Sequence, residues 1–117
     1  MTSPNFGTWP PGAISGWCII DGASGAVVKQ SGGIFGTFSH VGTGHCRVTL
    51  TMRGAESDDN IAVQVTSNDD GGSAASTRIA SYGITAGVPA QLDIYTRDAA
   101  GALADADRLS VLVLGAP

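Results

Sequence analysis

From Trp17 onward, a turn signal interrupts the chain after nearly every short apolar run, and that rhythm leaves room for little except short β-strands. The pattern is clearest from His45 to Arg53. There Cys46, Val48, Leu50 and Met52 alternate with Arg47, Thr49, Thr51 and Arg53, the period-two signature of a strand with one face in a core and one in water. Trp17 to Asp21 is an apolar run closed by a turn at Gly22 to Gly25, and Ala26 to Gln30 follows at hairpin distance. Ile34 to Val41 ends at Gly42-Thr43-Gly44. Ile61, Val63 and Val65 alternate with Ala62, Gln64 and Thr66. Asn68-Asp69-Asp70-Gly71-Gly72 is a strong turn signal, because these residue types accept positive φ at little cost. Ser76 to Gly83, with Ile79 and Tyr82, reads as a further strand. Gln91 to Arg97, with Leu92 and Ile94 on one face, and Leu109 to Leu114 complete the set.

About eight short strands separated by turns predict an all-β fold, an antiparallel β-sandwich or jelly-roll. Asp98 to Asp107 holds five alanines but is broken by Gly101 and has no apolar face, so it reads as a loop. Residues 1–16 are different in kind. Pro4, Pro10 and Pro11 prevent regular structure, while Phe6, Trp9 and Ile14 supply apolar surface that seeks cover. The expected organisation is an extended N-terminal arm at 1–16 and a sandwich domain at 17–117. Phe6, Trp9, Pro10, Pro11 and Ile14 are the candidate partner-anchoring residues. With 117 residues the chain fits one domain that can bury a core without staples.

Charge narrows the function. Only 14% of residues are charged and the net charge is −4, against roughly 25% charged in an average soluble domain. The six basic residues, Lys29, Arg47, Arg53, Arg78, Arg97 and Arg108, are scattered singly. That distribution argues against nucleic acid, whose binding rests on clustered Lys and Arg, and against an anionic membrane surface. No apolar run approaches the length of a membrane span. The first fifteen residues lack the basic start and apolar stretch of a signal peptide, so the expectation is synthesis in a cytoplasm.

The residues that could carry chemistry do not form a recognisable constellation. His40 and His45 flank the Gly42-Thr43-Gly44 turn. Cys46 follows His45, but neighbours on a strand point to opposite faces and cannot pair directly. Cys18 and Cys46 lie in apolar runs and read as buried, reduced, inert thiols. The histidines and cysteines do not have the spacing of a zinc motif. Asp58-Asp59-Asn60 and Asn68-Asp69-Asp70 offer oxygens of the kind calcium takes, but neither matches an EF-hand loop. The acidic residues cluster in turns, with Asp93 alone inside an expected strand. The expectation is a protein that is not an enzyme, with no catalytic residue, no metal and no cofactor.

The order of the segments resembles a β-sandwich module of the tail fibre proteins of tailed bacteriophages. The resemblance lies in Trp17, Asp21-Gly22, Ser24-Gly25, Val27-Val28, then Gly42-Thr43-Gly44 leading to Val48-Thr49-Leu50, then Ile61 to Val65 and the closing Val111 to Gly115. It covers about residues 13 to 115. It implies a structural protein on the virion surface, homotrimeric, joined to other virion proteins and placed to contact a host receptor. A short, low-charge sandwich with an extended arm is also similar to phage head decoration (cement) proteins, which bridge coat subunits. A cellular carbohydrate-binding or adhesin-type sandwich is the third expectation. It is the thinnest of the three, because Trp9, Trp17, Tyr82 and Tyr95 are the only Trp or Tyr residues able to form a stacking platform.

Overall fold

The computed structural model describes residues 14–51, 61–68, 78–87 and 89–115. They form eight strands: β1 (Ile14–Asp21), β2 (Val27–Ser31), β3 (Phe35–Gly42), β4 (His45–Leu50), β5 (Ile61–Asn68), β6 (Ile79–Thr85), β7 (Ala90–Arg97) and β8 (Arg108–Gly115). Two antiparallel four-stranded sheets pack face to face as a β-sandwich. Sheet I has the order β2-β1-β8-β5 and sheet II the order β3-β4-β7-β6. The first and last strands pair at the centre of sheet I. The chain passes between sheets four times, after β2, β4, β5 and β7.

Alternation builds the core. Cys46, Val48 and Leu50 of β4 lie in register with Ile94, Leu92 and Ala90 of β7. Cys18 and Ile20 of β1 face Val111 and Leu109 of β8. All ten are buried, and with Val63, Val113 and Ile34 they fill the space between the sheets.

The strands fall where the alternation places them, with differences at the ends. β1 begins at Ile14, not Trp17, so the boundary expected at residue 16 lies inside a strand. Ser15 and Gly16 are buried there. The proline-rich composition of the preceding segment hides this start, and Gly16 in particular reads as a break. It is kept free of a side chain by packing: a Cβ at Gly16 would stand 2.8 Å from both the Ser31 carbonyl oxygen and Ile34 Cγ1. Ile14, expected in the arm, pairs with Leu114 instead. Phe6, Trp9, Pro10 and Pro11 lie outside the described residues, as do Met52 and Arg53. β6 runs from Ile79 to Thr85, and its expected markers Ile79 and Tyr82 are both exposed. Ile84 is the residue that packs on the core. Asp98 to Asp107 is a loop, as expected, pinned by a bridge between Arg97 and Leu103.

Candidate functional site

The two sheets present chemically opposite outer faces. On sheet II, the residues that alternate with the core of β4 and β7 are polar. Arg47 and Asp93 are direct cross-strand partners, His45 is opposite Tyr95, and the diagonal brings His45 to Asp93. The Arg47 Nε–H donates to Asp93 Oδ1 at 2.8 Å, and His45 Nε2 meets the same oxygen at 2.7 Å. The His45 ring stacks on Tyr95 with centroids 4.5 Å apart. Although it lies on the outside of a sheet, the Asp93 side chain is only 13% exposed. One carboxylate thus braces both central strands of sheet II.

A second aspartate does similar work at one end of the sandwich. Asp105 Oδ1 accepts the Gly44 backbone N–H at 2.7 Å and contacts His40 Nε2 at 2.9 Å. The Asp105 carbonyl accepts from Arg78 Nε at 2.9 Å. The contacts with Gly44 and His40 fasten the 98–107 loop to the β3–β4 hairpin, and the one with Arg78 ties it to the start of β6. Asp21 and Asp98 accept backbone N–H groups within their own turns, from Ala23 and Ser24 and from Ala100 and Ala102. Asp21 also receives Arg108 Nη1 at 3.3 Å. Among the described residues, no hydroxyl or thiol hydrogen-bonds to either histidine, and no three His, Cys, Asp or Glu side chains converge as a metal site.

Both cysteines are buried free thiols. Burial pushes Cys18 up to about 12. It pushes Cys46 up to about 11, with the charges of Asp105 and Asp21 adding to the rise. Cys46 points inward, its Sγ 3.7 Å from the Gly22 carbonyl, on the opposite face from His45. A thiol so held is a poor nucleophile.

The aspartates make stability acid-sensitive. Burial raises the Asp93 pKa, but hydrogen bonds from His45 and Arg47, with their charges, outweigh it and leave the carboxyl lowered. Asp105 is lowered in the same way, burial opposing the Gly44 N–H and His40. A folded-state pKa below the unfolded value of about 3.9 gives stability that is complete above that value and is lost as pH falls through the folded pKa. Thermal melts followed by circular dichroism should therefore show an unfolding temperature that declines below about pH 4. Asp93→Asn should lower that temperature at neutral pH and flatten the acid decline. An acid limb identical in wild type and variant would refute the brace.

The outer face of sheet I is apolar at its centre. Trp17 lies opposite Leu112, with Ser31 and Gln64 completing the row. The next row is Lys29, Ile19, Ser110 and Thr66. On the other side of the Trp17 row, Leu114 and Ala62 are in register. Trp17, Ile19, Leu112 and Leu114 are half-buried, while their strand neighbours Cys18, Ile20, Val111 and Val113 fill the core. The two central strands of sheet I therefore carry apolar side chains on both faces. Strands buried on both faces read as continuous apolar runs, which is the character of Trp17-Cys18-Ile19-Ile20 and Val111-Leu112-Val113-Leu114.

The signal for this face was present in those two runs. For the Asp93 brace, the signal was a lone carboxylate in a strand, but its partners on β4 could not be read without the register. Compared with known proteins, the chain matches no family model, no curated protein and no solved structure.

Proposed function

We propose that this chain is a non-enzymatic structural protein of the surface of a tailed bacteriophage particle. It is of the tail-fibre kind, works as a homotrimer beside other virion proteins and is placed to meet a host receptor. The phage setting and the trimer rest on the resemblance of the segment order. The observation that carries the assembly role is the double-sided apolar character of β1 and β8: the sandwich covers one face of sheet I and leaves the apolar side chains of the other half-buried. The use of both described histidines as partners of bracing aspartates supports a structural role over a chemical one.

Quantitative mass spectrometry of purified particles from the source tests the reading. The expected result is this chain in the virion at a copy number divisible by three. A few copies per particle fit a fibre, and hundreds fit a head decoration protein. A chain found in the producing cell but absent from purified particles overturns the reading in favour of a cellular sandwich.

A further inference from the structure

We propose that the outer face of sheet I is the surface on which copies of this chain join one another, an inference that rests on the assembly role above and names its partner. Three observations single out a second copy as the occupant.

The first is the pattern of the face. Trp17, Ile19, Leu112 and Leu114 occupy the two central strands, and the edge strands frame them with Ser31, Lys29, Gln64 and Thr66, with the small Ala62 beside Leu114. An apolar centre with a polar rim is the anatomy of an association surface. Fully burying one side chain of this kind is worth roughly 1.5–3 kcal/mol, and all four still have exposure to lose.

The second is charge. Copies packed about a symmetry axis bring the residues nearest that axis towards their own counterparts, so a charge there meets its like. On β1 and β8 the rows from Leu114 to Ile19 carry none. Lys29 stands out on the edge strand β2, and Asp21 and Arg108 neutralise each other at the far end. A partner recognised by its own charge would need a complementary charge here. The outer face of sheet II, with Arg47, Asp93 and His45, is the one suited to water.

The third is size. Four strands about 4.8 Å apart and some seven residues long at about 3.4 Å each present roughly 450 Å² of flat area. Around a three-fold axis three such faces together bury roughly 1,350 Å² before side-chain relief is added, about 450 Å² for each pair of neighbours, which is below the lower bound of about 1,000 Å² for a specific interface. Association through this face is therefore reversible and concentration-dependent.

Sedimentation velocity on the full chain, from low to high micromolar concentration, tests the proposal alongside three variants. Leu112→Lys places a charge at the centre of the face. Gln64→Lys places one on an exposed position in the same row, where the fold tolerates it. Gln91→Lys is the control, exposed on sheet II. Circular dichroism confirms that each is folded, and if Leu112→Lys is not, Gln64→Lys decides. The expected result is a wild-type oligomer, a dissociation constant at least tenfold weaker for the sheet I variants, and no change for Gln91→Lys. Sheet I variants that associate like wild type, or a control that dissociates with them, overturn the proposal. So does a wild type that stays monomeric at every concentration. If that monomer binds the hydrophobic dye ANS, the face awaits a different virion protein and the assembly role survives. If it binds no dye, the chain covers the face itself and the assembly role loses its support as well.

Discussion

Leu92→Ala is expected to cost the domain about 2–5 kcal/mol, a large part of the roughly 5–15 kcal/mol that holds a domain of this size folded. Leu92 is fully buried at the centre of the inner face of sheet II, in register with Val48 on one side and Ile84 on the other. Its neighbours are held by the ladders of β4, β6 and β7, so they cannot close the space that the lost carbons leave. The cost is then the transfer free energy of the removed groups together with that of the cavity. Urea titration should show a lower midpoint with an unchanged slope. Leu112→Ala, on the outer face of sheet I, is the informative comparison. In the monomer it should cost less than half as much, because Leu112 is only half-buried. Equal costs for the two would mean that the inner and outer faces have been assigned wrongly.

Gly44→Ala is the second large effect, expected at about 2 kcal/mol or more. Gly44 closes the β3–β4 hairpin at φ +67°, where an L side chain is strained. An added Cβ would also stand 2.6 Å from the Thr96 carbonyl oxygen and 2.7 Å from the Ala104 nitrogen. Both are backbone atoms that cannot swing aside. The Gly44 carbonyl accepts the Thr96 N–H at 2.9 Å, and the Gly44 N–H is bound to Asp105. Relieving the clash therefore loosens the hairpin and the 98–107 loop together. Gly42→Ala, two residues earlier, meets open space and has no positive φ, so it should be nearly neutral. Thermal melts of the two variants should separate clearly. Similar melts would show that the hairpin relaxes without the loop.

Much of this protein could be read directly from its residues. Alternation is a local property, and the face each strand turns inward follows from it. Cys46, Val48 and Leu50 belong to the core because their spacing leaves them no other side. The turn between β3 and β4 was likewise legible in Gly42-Thr43-Gly44, and burial of both thiols was legible in the apolar runs that hold them. Local spacing could not say which strands would pair. β1 with β8, and β4 with β7, join segments far apart in the chain, and that choice depends on how the whole set of strands best covers its apolar surface. The Asp93 brace exists only because β7 docks on β4 in the one register that sets Asp93 beside Arg47 and diagonal to His45. In the same way, Trp17-Cys18-Ile19-Ile20 declares by itself that both its faces are apolar. Only the packing of the two sheets decided that Cys18 and Ile20 would be covered within the chain, while Trp17 and Ile19 would be left half-exposed, since a sandwich of two layers has one interior and each strand can turn a single face into it.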